Sequence, residues 1–130
     1  MPVQMRWDNE EKTILVAAYV GSWTWEEFFA ARDQANLQLD EVDHQVDIIH
    51  DWSQSGGFPH NIFANAKSLI PKMHPRTARN VHVGVSPYFM TMWQLFSRLY
   101  AAVAGEKKFV FVNTLDEARK ILTAEKQGEG

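Results

Sequence analysis

The stretch "HDWSQSGGFPHN", His50 to Asn61, gathers an acid, two serines, two glycines and two histidines directly after the apolar run "VDII". Serine, aspartate and histidine are the side chains of acyl transfer, and glycine amides before a helix are the usual cradle of a phosphate. The spacing supports neither chemistry. No G-x-x-x-x-G-K-[ST] or G-x-G-x-x-G precedes a helix. Ser, Gly, Asp and Asn are also the residues from which any tight strand-to-helix connection is made. The segment is therefore expected to be turn chemistry, with Asp51 ordering its own loop through side-chain-to-backbone bonds.

Other reactive groups fare similarly. Ser86 in "GVSPY" occupies the place of a nucleophile between strand and helix. Tyr88 stands where the strained elbow G-x-S-x-G needs a small residue, and no histidine follows His82 to act as base. Ser86 before Pro87 is explained as a helix N-cap. The five histidines, at 44, 50, 60, 74 and 82, lack close metal-ligand spacing. His50 and Asp51 are strand neighbours whose side chains point to opposite faces, and His82, alternating with Val81 and Val83, is expected on the less buried face. No metal and no cofactor are expected. The positions retained for a ligand or a phosphoryl group are Asp51, Ser53, Ser55 and Ser86.

The elements that must position these groups follow from pattern. "VQMRW" (3–7), the turn "DNEEK" and "TILVAAYVG" (13–21) read as an antiparallel hairpin. "TWEE" is a capping box opening a helix with Phe28, Ala31, Ala35, Leu39 and Val42 on one face. "QVDIIHD" (45–51) is a buried strand, and a second helix begins near Asn61 and ends at Pro71. "NVHVGVS" (80–86) is a strand, 88–103 a third helix, "KFVFV" (108–112) the last strand, and "TLDE" (114–117) a capping box for the last helix. The order β-β-α-β-α-β-α-β-α predicts an α/β fold. Its five-stranded sheet is mixed and mostly parallel, with the first strand at an antiparallel edge. Residues 1–124 are expected to form one domain and 125–130 a flexible tail.

Composition narrows the function. The chain has 130 residues, a net charge of −3 and no cysteine, which argues against a nucleic-acid or anionic-membrane surface and against thiol chemistry. The start "MPVQMRWDNE" has no secretory pattern and no apolar run approaches a membrane span, so the cytoplasm is the expected location. The third helix is unusual. Phe89, Trp93, Phe96 and Tyr100 form one stripe, and Met92, Leu95, Leu99 and Val103 a second. One stripe suffices to pack a helix on a sheet, so the second is either buried by neighbouring elements or covered by a second subunit or an apolar ligand.

The element order, the strand ending "VDIIHDWS" and the final "VNTLDEARKIL" resemble the STAS domain family, the anti-sigma factor antagonists and their SpoIIAA-like relatives. Asp51-Trp52-Ser53 looks like the D-L-S triplet that ends the family's third strand. The family's phosphorylated hydroxyl lies in a D-S-[ST]-G motif at the next helix start. Here 59–62 read "PHNI", with no hydroxyl and no glycine, so a phosphoswitch would need Ser53 or Ser55. The resemblance implies one-way winding, with no strand-order reversal to form an active-site crevice. It implies a non-catalytic regulatory or protein-interaction module. The doubly apolar third helix offers Phe89, Trp93, Phe96 and Tyr100 as the surface of a homodimer. The alternative is a binding protein for a small apolar or lipid-like ligand.

Overall fold

The computed structural model describes residues 2–56, 74–87, 90, 91, 94, 98 and 109–129. Five strands form one sheet in chain order: β1 (Val3–Trp7), β2 (Ile14–Gly21), β3 (Val46–Ser55), β4 (Thr77–Val83) and β5 (Phe109–Val112). β1 runs antiparallel to β2, and every other pairing is parallel. Among the described residues the strand order never reverses, so they show no topological switch point of the kind where many α/β proteins bind ligands. Two helices complete the described architecture, α1 (Trp25–Asp40) and α2 (Leu115–Glu129). No helix among the described residues is long and apolar enough to cross a membrane.

The expected hairpin closes through Asn9. Its Oδ1 accepts from the amides of Thr13 and Ile14, its Nδ2 donates to Thr13 Oγ1, and Lys12 takes the left-handed conformation at φ 58°. α1 starts at the predicted capping box. Thr24 Oγ1 accepts from the Glu27 amide at 3.1 Å, and Glu27 Oε1 accepts from the Thr24 amide at 3.0 Å. At α2 the box is altered. Thr114 Oγ1 accepts from Glu117, but the Glu117 carboxylate reaches back to the Asn113 amide instead of to its own cap.

Alternation along the strands gives the sheet two apolar faces. Ile14, Val16, Ile49, Val81, Val83 and Val112 pack against Ala118 and Leu122 of α2. On the other face, Leu15, Val46 and Ile48 meet Ala35 and Leu39 of α1, while Ala17 and Tyr19 meet Trp23 and Ala31. The helices therefore lie on opposite sides. Ion pairs fasten α2 in place. Arg119 holds Asp8 with two bonds of 2.8 and 2.9 Å across 111 positions. Asp47, only 2% exposed, takes Arg79 through both carboxylate oxygens, and Arg79 also donates to the Leu122 carbonyl. Such a buried carboxylate persists because its charge is compensated and hydrogen-bonded.

Two expectations change. β3 continues four residues beyond Asp51, to Ser55, because a bulge against β2 lets pairing resume. Ala18 faces Asp51, and Val20 then faces Gln54. β4 ends at Val83 rather than Ser86, because Gly84 adopts φ +73°. A side chain at Gly84 would bring a Cβ to 2.9 Å from Ser53 Cα, so close approach and dihedral both demand glycine. Gly84→Ala is expected to lower stability by about 2 kcal/mol or more, measured by urea unfolding. The neighbouring exposed substitution Ser86→Ala should stay within about 1 kcal/mol of wild type.

Candidate functional site

The strand ends bring two predicted site residues together. Asp51 Oδ1 accepts from the Ser53 amide at 3.1 Å and from Ser53 Oγ at 2.6 Å, the self-ordering expected of a strand-end aspartate. Ser55 is separate, its Oγ accepting from the Trp23 indole at 3.0 Å. Ser86 is exposed, and its carbonyl accepts from the Met90 amide in the first turn of the helical segment that begins at Pro87. Phe89, Trp93, Phe96 and Tyr100 lie outside the described residues. Thus Ser55 is bound to an indole, and the hydroxyl–carboxylate contact among these residues, Ser53 with Asp51, joins neighbours two positions apart at the edge of the fold.

The structure adds a constellation that the residue pattern alone did not assemble. In the parallel register His50 pairs with His82, which pairs with Phe111. Their rings line up on the face of the sheet that carries α1. His50 and His82 stack at 4.8 Å and 12°, and His82 and Phe111 at 5.4 Å and 25°. Trp52 lies on Tyr19 at 3.8 Å and 7°. Hydrogen bonds run through the same rings. Tyr19 Oη meets His50 Nδ1, His50 Nε2 meets Asn80 Oδ1, and the Trp52 indole donates to His82 Nδ1, each at 3.0 Å. His82 lies on the less buried face, as expected, beside the half-buried His50 and Phe111, yet is itself only 4% exposed. β4 runs between β3 and β5, and inner strands of a parallel sheet are covered on both sides.

Proton positions follow from donor inventories. An indole only donates, so His82 Nδ1 accepts and the neutral ring carries its proton on Nε2. An amide oxygen only accepts, so His50 Nε2 donates to Asn80, and Nδ1 is left to accept from the Tyr19 hydroxyl. Both rings are held neutral. Burial lowers His50 to about 4, against a partial rise from its bond to Asn80. Burial, and then the repulsion that two protonated rings side by side would suffer, push His82 well below the ordinary value.

Tyr19, His50 and Asn80 stand in the order nucleophile, base, orienting group. Tyr19 cannot serve as a nucleophile in this arrangement, because it is 1% exposed and burial raises its phenol far above the ordinary range. The row of rings therefore acts as a set of fixed donors, acceptors and stacking surfaces. Period-two alternation does place His50 with Ile48 and His82 with Asn80, but only the register joins the two strands. Among the described residues no three histidine, aspartate or glutamate side chains converge as metal donors.

An acid-sensitive stability follows. The unfolded histidine titrates near 6.5 and the folded His50 near 4, so below 6.5 the unfolded chain binds the extra proton. Stability is complete above the unfolded value and is lost as pH falls through this window, by about 3 kcal/mol from His50 alone. Urea unfolding at a series of pH values checks this, and His50→Gln should remove about one proton from the slope.

Compared with known proteins, the chain is matched by no family model and by no curated protein.

Proposed function

We propose that the protein is a non-catalytic, STAS-like regulatory module that works by contact with a protein partner, including a second copy of itself. The layout β-β-α-β-α-β-α-β-α, SpoIIAA-like in detail, and a cytoplasmic location belong to the same reading. The observation that carries it is the fate of the reactive groups at the strand ends, where Asp51 binds Ser53 and Ser55 binds Trp23. A sheet built in chain order, without a switch-point crevice, supports it. So does the triplet Asp51-Trp52-Ser53, which resembles the family's D-L-S, although here the strand runs on to Ser55.

Self-association through Phe89, Trp93, Phe96 and Tyr100 is the form tested first. Light scattering on the purified chain is expected to give the mass of a dimer, and Trp93→Glu or Phe96→Glu to give that of a monomer. A wild-type monomer whose behaviour neither substitution changes would remove the self-association surface.

A second reading is favoured by a specific observation. His50 lies on the middle strand of the sheet, between β2 and β4, yet it and Trp52 are only half-buried. The same β3 residues on that face nearer its start, Val46 and Ile48, are buried. Partial exposure on an inner strand marks a space at the sheet, and aromatic walls suit a small apolar or lipid-like ligand. Native mass spectrometry of freshly purified protein is expected to show a bound small mass. A clean mass, with no thermal shift across a lipid panel, would end this reading.

A further inference from the structure

Asn80 is 2% exposed, and its side-chain amide is divided in its contacts. Oδ1 accepts from His50, whereas Nδ2 is buried with no hydrogen-bond partner among the described residues. An orphan amide donor is a cost that a folded protein rarely leaves uncompensated. The same amide bonds the half-buried ring of His50, and behind it the sheet is closed by the core under α2. A water molecule in such a place needs two to four polar partners, and ring faces supply none.

We infer that this face of β3, β4 and β5 binds a neutral, planar aromatic molecule bearing a carbonyl, whose oxygen accepts from Asn80 Nδ2. The inference rests on the second reading above, small-ligand binding, and names its chemistry. The carbonyl answers the spare donor. Planarity answers the rings, since Tyr19 with Trp52, His50 with His82 and His82 with Phe111 lie within 25° of parallel, and a flat molecule continues that stack. Neutrality answers the electrostatics. His50 and His82 are held uncharged, and Arg79, next to Asn80 in the chain, pairs with Asp47 beneath α2 on the opposite face. A carboxylate beside these neutral rings would be desolvated with no cation among the described residues of this face to compensate it.

The test uses two probes of nearly equal shape, 2-acetylnaphthalene and 2-ethylnaphthalene, titrated calorimetrically into the full chain. The ketone is expected to bind about ten-fold more tightly, the return on satisfying one buried donor. Asn80→Asp keeps an acceptor for His50 and removes the spare donor, so the ratio should fall to near one in a variant shown by its thermal transition to be folded. Should that variant not fold, the side-chain amide signals of Asn80 in the nitrogen-15 spectrum of the wild type decide. They should move with the ketone and stay with the hydrocarbon. Equal affinities, an unchanged ratio in Asn80→Asp or an amide signal indifferent to the ketone would each overturn the inference. A co-purifying small mass together with equal affinities overturns this inference alone. No bound mass and no binding of either probe removes the ligand reading with it.

Discussion

Parallel pairing of β2, β3 and β4 is the constraint on which the remaining structure hangs. In-register pairing sets His50 against His82, and the bulge after Ala18 returns β3 to β2 in time for Ser55 to reach Trp23. Because the side-chain period of a strand is two, a slip of one residue would exchange the faces. His50 and Trp52 would then point into the aliphatic layer under α2, and Ile49 would face α1. The apolar pattern alone opposes such a slip. The Asp47–Arg79 pair opposes it more sharply, because one carboxylate is satisfied only when β3 and β4 stand at this offset.

The two faces use different physics for the same end. Beneath α2 the sheet is closed by aliphatic side chains, whose contribution grows with buried area and is indifferent to orientation. On the α1 side the layer is aromatic and hydrogen-bonded. Tyr19, His50, Asn80, Trp52 and His82 fix one another's rotation through donors and acceptors that can be arranged in few ways. Such a network adds little net free energy per bond, but each buried group left unmatched is costly, so it favours one arrangement strongly. The histidines obey this logic only while neutral, which links the order of the face to proton activity.

What could be read in the sequence was what depended on neighbours a few positions away. The Asn9 turn region, the Thr24–Glu27 box and the α1 face through Ala31, Ala35 and Leu39 are all decided within about two helical turns. The Asp51–Ser53 bond was legible for the same reason, spanning two residues. The extension of β3 to Ser55 was not, because turn-forming residues outvote strand propensity until β2 offers its free edge. The burial of His82 was equally hidden. A histidine between two valines reads as the polar half of an alternation, and only the presence of β5 beyond β4 shows that both faces are covered. The ring constellation needed register across thirty positions or more, from Tyr19 to His50 and from His50 to Asn80.

Strand order in space equals strand order along the chain, and this bears on how the molecule is made. With each strand paired to its neighbour in sequence, every new strand of a growing chain has a partner already made, though each parallel pairing still requires its crossover to close. The salt link between Asp8 and Arg119 spans 111 positions, joining the β1–β2 turn to α2, and can form only once Arg119 has been made. That link is a latch: it ties the antiparallel edge of the sheet to the helix that follows β5.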